Sequence, residues 1–318
     1  MIEFQRLILG DTRRNELFAE ALRRSIVPGR TTVADLGAGT GYLSFVARKL
    51  GAAHCYLVEM SELIELSQRL AKANRLDELT FIHAHSIELE QPPKVDLVVS
   101  ETLGNVAFEE NLLETMQDAR RWLAPGGTMI PQRVAQFAAP LVAPRFFAEL
   151  DVFSRLGHGL DFGLAGALAT DNVYVRRFAP GDLLAEGRGD GEVASRRLDQ
   201  VDLRKRTASV RRGRAEWRIA KATALHGFAL WWECELLADA PDLVLSTSPL
   251  APPTHWEQVW LPPRAPLAAK AGDTLALELE CDSRPQVKIN LKWKVTLLDR
   301  AGKVRAEEQH DMRKGYLE

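Results

Sequence analysis

The sequence lacks the features that mark secreted, metal-binding and membrane-spanning proteins. Its 318 residues include only three cysteines, which stand far apart and form no CxxC or zinc-binding pattern. Such an odd and sparse set is typical of a reducing compartment. No apolar run approaches the roughly 18 residues of a membrane span, and the first residues do not form a secretory signal. We therefore expect a cytoplasmic protein that contacts no membrane and holds no metal ion.

The sequence also lacks a surplus of positive charge, since its formal net charge is −2. Proteins that bind nucleic acid through bulk charge carry many more Lys and Arg than Asp and Glu. We therefore expect no direct nucleic-acid binding. The chain length and its 46% of hydrophobic residues are enough for a large core and for two domains.

The segment that organises the chain is TVADLGAGTGY at residues 32–42. A short apolar strand leads into a glycine-rich turn and a helix, so that a ligand can approach the backbone at the positive end of the helix. A dinucleotide site would need glycine where Tyr42 stands, and a P-loop would need Gly-Lys-Ser/Thr, which is absent. An aspartate before alternating glycines resembles the S-adenosylmethionine site of class I methyltransferases. The expected cofactor contacts here are Asp35, Gly37 and Gly39.

Strand and helix patterns alternate after this turn and predict a doubly wound parallel sheet. Glu59 ends the second predicted strand, where an acid commonly accepts hydrogen bonds from both hydroxyls of a ribose. Ser86 and Ile87 follow the third strand and fall where an adenine would lie. A generic turn of any Rossmann-like fold is the alternative for the glycine segment.

The fourth predicted strand, at residues 95–100, leads into the segment SETLGNVAFEENLLETM. Glu101 stands at the carboxyl edge of the sheet, where open α/β folds bind ligands. Glu110 follows nine residues later, beside Glu109, at the start of a helix that we expect to end at Pro-Gly-Gly, 125–127. Taken alone, the two neighbouring acids could equally be ordinary residues of a first helical turn.

Glu101 and Glu110 match the double-E hairpin of the protein arginine methyltransferase family in spacing and flanks, and the chain resembles this family over roughly residues 7–298. The resemblance implies that both acids bind and polarise the guanidinium of arginine, whose planar fork suits two carboxylates. Positioning and electrostatics would then lower the barrier to methyl transfer.

Two further motifs carry the resemblance. Asp11 and Arg14 match the D-x-x-R start of the family, which implies that Arg14 meets the methionine carboxylate of the cofactor. Thr254, His255 and Trp256 match its THW loop, which lines the arginine pocket and whose histidine pairs with an acid, here Asp11. The resemblance thus assigns catalysis to Glu101, Glu110, His255 and Asp11, and acceptor binding to Glu101, Glu110, Asn105 and Trp256.

Strand-like alternation begins after residue 131 in the segments LWWECEL, TLALELEC and VKINLKWKVTLL. The predicted architecture is a Rossmann-like domain at 1–131 followed by a domain at 132–318, which the resemblance implies is a β-barrel. A partly helical stretch at about 145–172 occupies the place of the family's dimerisation arm, so we expect a homodimer. A surface insertion is the alternative for this stretch.

The chain departs from the family pattern at the start and in the hairpin. The aromatic helix that folds over the cofactor is missing, shortened or supplied by a partner, and Thr102 and Asn105 replace a Trp and a Tyr. We expect an enzyme that transfers methyl from S-adenosylmethionine to arginine in a protein or peptide and releases S-adenosylhomocysteine. Free arginine or another small guanidine as acceptor, or a catalytically silent dimeric scaffold, are the alternatives.

Overall fold

The N-terminal part of the chain alternates helices and strands, as its sequence patterns predict. The computed structural model describes residues 2–186 and 192–315. The helices of the N-terminal part are α1 (Ile2–Gly10), α2 (Thr12–Ser25), α3 (Tyr42–Lys49), α4 (Leu63–Ala73) and α5 (Leu112–Trp122). Its strands are β1 (Thr32–Leu36), β2 (His54–Glu59), β3 (Leu79–His83), β4 (Val95–Val99) and β5 (Leu123–Ile130).

These strands form one parallel sheet in the order β3-β2-β1-β4-β5. The strand order reverses beside β1, because β2 and β3 lie on one side of it and β4 and β5 on the other. Open α/β sheets bind ligands at the carboxyl ends of the strands flanking such a reversal. The glycine turn after β1 and the segment after β4 meet there, since a Cβ built on Gly37 would lie 3.1 Å from Cγ2 of Thr102.

The start of the chain forms two separate helices. Helix α2 begins at Thr12, because Oδ1 of Asp11 accepts a hydrogen bond from the Arg14 amide at 2.9 Å and caps the helix. The preceding residues form a separate helix, α1, in which no residue is buried. Sequence patterns did not reveal α1, because a helix of nine residues with no buried face has no strong periodic signal.

The end of helix α5 was also predicted wrongly. The helix stops at Trp122, and the Pro-Gly-Gly segment at 125–127 lies within strand β5. This strand pairs with β4 alone, for example through Val99 and Ile130, and is an edge of the sheet. Edge strands tolerate proline and glycine because one side of the backbone needs no ladder partner. The segment that reads as a helix stop signal is therefore part of a strand.

The C-terminal part is built from antiparallel strands. They are β6 (Arg133–Pro140), β7 (Tyr174–Arg176), β8 (Arg196–Asp202), β9 (Val210–Arg218), β10 (Thr223–Leu225), β11 (Phe228–Glu235), β12 (Val244–Ser246), β13 (Gln258–Leu261), β14 (Leu267–Ala269), β15 (Thr274–Asp282), β16 (Asn290–Leu298) and β17 (Val304–Asp311). One sheet has the order β7-β13-β11-β6-β8, with β12 on β11, and another has the order β17-β16-β15-β9. The remaining pair is β10-β14.

Side-chain alternation explains these sheets. Leu279 of β15 and Trp293 of β16 are register partners and both are buried, whereas the next pair, Glu278 and Lys294, lies on the opposite face. The predicted alternation of VKINLKWKVTLL is therefore confirmed from Asn290 onward. Its first residues lie outside the strand, and Lys288 has a φ of 65°.

The predicted irregular stretch at 145–172 contains the helices α6 (Pro144–Leu150) and α7 (Gly163–Thr170), joined through a 3-10 turn at Phe153–Arg155. A last short helix, α8, covers Met312–Gly315. We call residues 144–170 the helical arm. The exposed large apolar side chains of the arm are Val152, Leu156, Leu160, Phe162 and Leu164.

The two parts of the chain share one hydrophobic core, which runs from the parallel sheet into the antiparallel strands. Pairing changes from parallel to antiparallel between β5 and β6, and the division at 131 stays a prediction. Across residues 2–186 and 192–315, no helix has the length and apolar character needed to cross a bilayer. The three cysteines are buried and free.

Candidate active site

The glycine turn after β1 is held by backbone contacts with the end of β2. Gly37, Gly39 and Gly41 have φ values of 77°, 54° and 83°, which favour glycine. The amide of Gly37 donates to the carbonyl of Val58 at 2.9 Å, and the amide of Gly39 donates to Oε2 of Glu59 at 2.9 Å. Glu59 therefore lies at the glycine turn, as predicted.

Helix α1 passes over this turn. A Cβ built on Gly39 would lie 3.4 Å from the side-chain amide of Gln5. The sequence left open whether a helix covers this site, and the structure brings α1 to it. The exposed apolar residues of α1 are Ile2, Phe4, Leu7 and Leu9.

The carboxylate of Asp35 is buried and is bound by Ser44 of helix α3. Asp35 is 1% exposed, and Oδ2 accepts hydrogen bonds from the hydroxyl and the amide of Ser44, at 2.8 and 3.1 Å. Burial raises the pKa of Asp35 to about 6, although both bonds from Ser44 act in the opposite direction. This carboxylate therefore holds the start of α3, and a contact between Asp35 and the cofactor stays a prediction.

Ser86 and Ile87 form a 3-10 turn after β3. The side chain of Ile87 is 59% exposed, whereas the hydroxyl of Ser86 is buried and has no hydrogen-bond partner among the described residues. An unpaired buried hydroxyl is uncommon and is the kind of group that a ligand satisfies. Both residues follow β3, and their contact with an adenine stays a prediction. The described part of the chain contains no cluster of His, Cys, Asp and Glu that could hold a metal ion.

Arg14 and Glu101 form a buried ion pair. Nε and Nη2 of Arg14 lie 2.8 and 2.6 Å from Oε2 of Glu101, and both side chains are 6% exposed. Oε1 of Glu101 accepts a hydrogen bond from the amide of Leu103 at 3.2 Å. The expected partner of Arg14 was a cofactor carboxylate. In the structure its guanidinium instead fixes the carboxylate of Glu101.

The two acids at the far end of the hairpin have separate surroundings. Glu109 folds back on the chain and accepts hydrogen bonds from the amides of Asn105 and Val106, at 2.8 and 3.3 Å. A Cβ on Gly104 would lie 2.0 Å from Cγ of Glu109, so this fold requires glycine at 104. The side chain of Glu110 is exposed and makes no hydrogen bond or ion pair with a described residue.

The pKa of Glu110 is affected by the other acids of the hairpin. Loss of water around its carboxyl, followed by repulsion from the carboxylates of Glu101 and Glu109, raises the pKa of Glu110 to about 7. The charge of Glu101 therefore reaches Glu110.

The predicted pair of His255 and Asp11 is present. Nδ1 of His255 lies 2.8 Å from Oδ2 of Asp11, and the amide of His255 donates to the same oxygen at 2.8 Å. Burial would raise the pKa of Asp11, but the hydrogen bonds from His255 and from the Arg14 amide outweigh it and keep the pKa below its ordinary value. Asp11 therefore connects the start of α2 with the loop between β12 and β13.

Two buried tryptophans hold the hairpin from below. Nε1 of Trp256 donates to the carbonyl of Leu103 at 2.7 Å, and Nε1 of Trp232 donates to the carbonyl of Gly104 at 2.9 Å. Their rings meet edge to face with centroids 5.1 Å apart. Both bonds link the antiparallel part of the chain to the segment between Glu101 and Glu110, and so fix how that segment lies.

Trp256 and Asn105, the two residues beside the glutamates that were predicted to contact the acceptor, both bind within the chain, and their acceptor role stays a prediction. Trp256 is 4% exposed, so it supports the hairpin and offers almost no surface to an acceptor. Oδ1 of Asn105 accepts a hydrogen bond from the backbone amide of Glu257 at 2.9 Å. This bond ties the side chain of Asn105 to the loop that carries His255. The sequence analysis missed Trp232 altogether. Its only signal was a tryptophan in a strand, which ordinary core packing also explains.

The fold and the site define a class of protein. A parallel sheet carries a glycine turn with a neighbouring acid, and an antiparallel part places a histidine loop against a hairpin with an acid at each end. Residues 29–151 match a methyltransferase domain, and residues 165–297 match an arginine methyltransferase oligomerization subdomain. The chain belongs to the protein arginine methyltransferase family.

Curated relatives and solved structures agree with this membership. The histone-arginine methyltransferase CARMER of Drosophila yakuba is 31% identical over 281 residues, which cover 84% of this chain and 52% of the relative. That of Anopheles gambiae is 28% identical over 281 residues, which cover 84% of this chain and 44% of the relative. The chain thus spans about half the length of the curated relatives it matches.

Two solved structures resemble the fold over nearly its whole length. The Trypanosoma brucei PRMT1 enzyme-prozyme heterotetrameric complex with AdoHcy has a TM-score of 0.83 at 21% identity, and protein arginine methyltransferase 10 of Arabidopsis thaliana has a TM-score of 0.79 at 21% identity. In both comparisons 98% of each chain is covered. The predicted combination of a Rossmann-like domain and an antiparallel domain is therefore confirmed.

Proposed function

We propose that this chain is an S-adenosylmethionine-dependent methyltransferase that transfers methyl to a guanidino nitrogen of arginine in a protein or peptide. The observation that carries the proposal is the pair of carboxylates at the two ends of one hairpin. Glu101 and Glu110 repel each other across the carboxyl edge of the parallel sheet. A planar cation with several N–H donors relieves that repulsion and satisfies both groups.

The residues around the glycine turn fit the cofactor. Positive φ values at the turn glycines leave the backbone open to close approach, and the unpaired hydroxyl of Ser86 offers a polar contact. Glu59 supplies carboxylate oxygens at the tip of β2, suited to ribose hydroxyls. When bound, S-adenosylmethionine supplies an electrophilic methyl group. The residues that would hold it are Gly37, Gly39, Glu59, Ser86, Ile87 and Arg14.

The two glutamates would bind the acceptor in different ways. Glu101, fixed by Arg14, receives one edge of the guanidinium and orients it. Glu110, which has no partner within residues 2–186 and 192–315, can bind the other edge when it is ionised. Two carboxylates on one side of the fork draw its positive charge away from the nitrogen that attacks, and they do so with little reorganisation because the hairpin is held by buried tryptophans.

Asp11 and His255 would support this arrangement without touching the methyl group. Asp11 keeps its negative charge through hydrogen bonds from His255 and from the start of α2. Its position between the two parts of the chain holds Arg14 and the histidine loop in register. Both residues are in this sense positioning residues for the glutamate pair.

A small guanidine, such as free arginine, is the second candidate acceptor. It is favoured by the replacement of two bulky aromatic residues of the family by Thr102 and Asn105, which changes the shape of the acceptor site. A catalytically silent scaffold is the third candidate. The intact, mutually repelling carboxylates speak against it, because such a cluster destabilises the fold and is typical of functional sites.

The test is a methyl-transfer assay with the purified chain and radiolabelled S-adenosylmethionine. Acceptors are a cell lysate, a synthetic glycine-rich peptide with one arginine, and free arginine. Transfer to the peptide supports the proposal, and transfer only to free arginine supports the second candidate. Cofactor binding without transfer to any acceptor supports the scaffold. Glu101→Gln is the control, expected to bind cofactor and to transfer no methyl group.

We further propose a homodimer that assembles through the helical arm. The arm exposes large apolar side chains, with Leu164 at 78% exposure, and a matching family description refers to oligomerization. The mass of the wild-type chain by light scattering should be twice that of one chain, and Leu164→Lys should shift it toward the monomer. An unchanged mass in the variant would contradict assembly through this surface.

We also propose that the antiparallel strands close into a barrel and that the protein is cytoplasmic. Closure is supported at both edges of the β17-β16-β15-β9 sheet. At one edge a Cβ on Gly213 would lie 2.5 Å from the carbonyl of Leu198, and at the other Glu308 accepts a hydrogen bond from the amide of Arg264 at 3.0 Å. Cytoplasmic location is supported by three reduced cysteines, and imaging of a tagged chain tests it.

A further inference from the structure

A cavity of about 370 Å³ lies beside the candidate active site and has no part in the function proposed so far. Its walls come from strands β6, β11 and β12, from the loop after β12, and from Arg13 at the start of α2. Its aromatic wall is formed by Trp231 and Phe137, whose rings are nearly parallel, with centroids 6.1 Å apart and an angle of 10° between the planes.

The cavity holds a carboxylate that forms no ion pair with a described residue. Glu233 is half-buried, and within the described residues its one hydrogen bond is a weak one of 3.5 Å from the hydroxyl of Ser246. Burial, assisted by the charge of nearby Glu235, raises the pKa of Glu233 above its ordinary value. A half-buried carboxylate without a counterion is unfavourable in a purely structural role, so a ligand that completes it is expected.

The next acid on the same face of the strand shows what a structural role looks like. Glu235 stands two residues further along β11, so its side chain points to the same face as that of Glu233. It forms an ion pair with Arg133, at 3.0 Å, and does not line the cavity. The fold thus pairs Glu235 with a cation, whereas Glu233 has no cationic partner among the described residues.

Two segments of the cavity wall lead into the candidate active site. Arg13 lies between Asp11 and Arg14, which contact His255 and Glu101 respectively. On the other side, the loop that lines the cavity up to Pro252 precedes His255 by three residues. We therefore expect an acceptor bound at Glu101 to extend toward this cavity.

We propose that the cavity binds a positively charged side chain of the acceptor, a second arginine or lysine near the methylated arginine, between the carboxylate of Glu233 and the ring of Phe137, which stacks on the buried Trp231. This inference rests on the proposed function. A cation gains both an ion pair and favourable contact with aromatic faces in such a place. The cavity thus selects acceptors with clustered basic residues.

Arg13 sets a limit on this selection. It lines the cavity at the rim, is exposed, and forms no ion pair or hydrogen bond with any residue that the structure describes. Its charge opposes a basic side chain and favours an acidic one nearby. Removal of this charge by Arg13→Gln should therefore strengthen the preference for a basic residue, in the opposite sense to the loss of Glu233.

The experiment compares peptides that carry one arginine and either lysine or glutamine at each of several neighbouring positions. Lysine supplies the charge but no guanidinium to be methylated. Equilibrium binding of fluorescent peptides and radiolabelled methyl transfer are both measured. For the wild type we expect binding and kcat/KM about tenfold better for the best lysine peptide than for its glutamine counterpart, as one charged hydrogen bond gives.

Glu233→Gln should bring this ratio close to one and leave the glutamine peptide unaffected. Glu235→Gln is the matched control and should keep the ratio, and Arg13→Gln should raise it. An equal response to both peptides in the wild type, or an unchanged ratio in Glu233→Gln, would overturn the inference. If lysine-dependent binding persists but no peptide is methylated, the cavity is as proposed and the proposed function is wrong.

Discussion

The two ends of the hairpin from Glu101 to Glu110 carry the same side chain in opposite conditions. Glu101 is buried and is fixed by two nitrogens of Arg14, whereas Glu110 is exposed and has no partner among the described residues. The pKa of Glu110 is raised to about 7, because loss of water and the neighbouring acids disfavour its charge. Glu101 is thus held in place before the acceptor binds. Glu110 becomes fully ionised when a cation stabilises its carboxylate.

This difference teaches how a pair of like charges can be kept in one site. Two ionised carboxylates side by side repel each other, and a fold can tolerate them if one is neutralised by a cation and the other has a raised pKa. Arg14 performs the first task, and the position of Glu110 at the mouth of the site performs the second. Substitutions at each end should therefore have effects of different kinds.

The largest expected effect is the loss of methyl transfer in Glu101→Gln. The neutral amide cannot draw charge from the guanidinium, and loss of one such electrostatic contact lowers kcat by about 10² to 10³-fold. Glu110→Gln should also lower kcat, but its effect should be smaller at low pH, where the wild-type residue is already protonated. A variant of Glu101 with near-full kcat in the radiolabelled assay would disprove the double-acid mechanism.

The second expected effect concerns the stability of the protein, which should respond differently to substitutions at the two ends of the hairpin. Glu101→Gln leaves the guanidinium of Arg14 buried without its counterion, which should lower the free energy of unfolding by about 3 kcal/mol. Glu110→Gln breaks no ion pair and should not destabilise the chain. Urea unfolding monitored by circular dichroism measures both. Glu20→Gln, which breaks ion pairs with Arg23 and Arg24 at the surface of α2, is the control and should lower the stability far less than Glu101→Gln.

The third effect is the pH dependence of activity. Because Glu110 must be ionised to bind a guanidinium, kcat/KM should fall about tenfold per pH unit below pH 7 and level off above it, as expected for a single essential group. The Glu110→Gln variant should lose this inflection and keep a flat profile near pH 7. An inflection that survives in the variant would assign the titration to another group.

The same pKa shift predicts a change of stability with the opposite trend. The folded state holds the proton of Glu110 up to about pH 7, and the unfolded chain releases it near the ordinary value of 4.5. Stability from this group is therefore present below pH 4.5 and is lost as the pH rises to 7. After allowance for solvent screening of an exposed group, Glu110→Gln should gain about 1 kcal/mol above pH 7 relative to the wild type.

The smallest effect tests the support beneath the hairpin. Trp256→Phe removes the hydrogen bond to the carbonyl of Leu103 and leaves that group unpaired, at a cost of about 1 to 2 kcal/mol in stability. The resulting shift of the hairpin should lower kcat several-fold. Trp260→Phe is the matched control, because its Nε1 donates to the carbonyl of His226 at 2.8 Å, away from the hairpin. The control should lose stability and retain kcat.

Much of the parallel sheet and its ligand edge was predictable from the chain alone. Apolar runs and glycine spacing located β1 to β4, and the carboxyl ends of parallel strands always share one edge. The positions of Glu59 and Glu101 followed from this geometry. Strand β5 did not, because Pro-Gly-Gly reads as a helix stop and only pairing with β4 makes it an edge strand.

The contacts of the site were less predictable. The pairing of His255 with Asp11 was expected only through resemblance to a family, since 244 residues separate them. The bond between Trp232 and Gly104 joins residues 128 positions apart, and no local pattern reports it. The contacts of Asp35 and Trp256 within the chain were not predicted, because a motif gives the residue type at a position and does not give the direction in which its side chain points.

The sequence by itself determined which groups stand at the ends of the parallel strands, because strand period and glycine turns are local properties of the backbone. Only the tertiary structure decided which acid is neutralised, which tryptophan is buried beneath the hairpin, and that Glu233 has no counterion in the part of the chain that the structure describes. Those outcomes depend on distances and burial between segments far apart in the chain. Charge and hydrogen bonding respond to such distances, and a linear pattern of residues does not contain them.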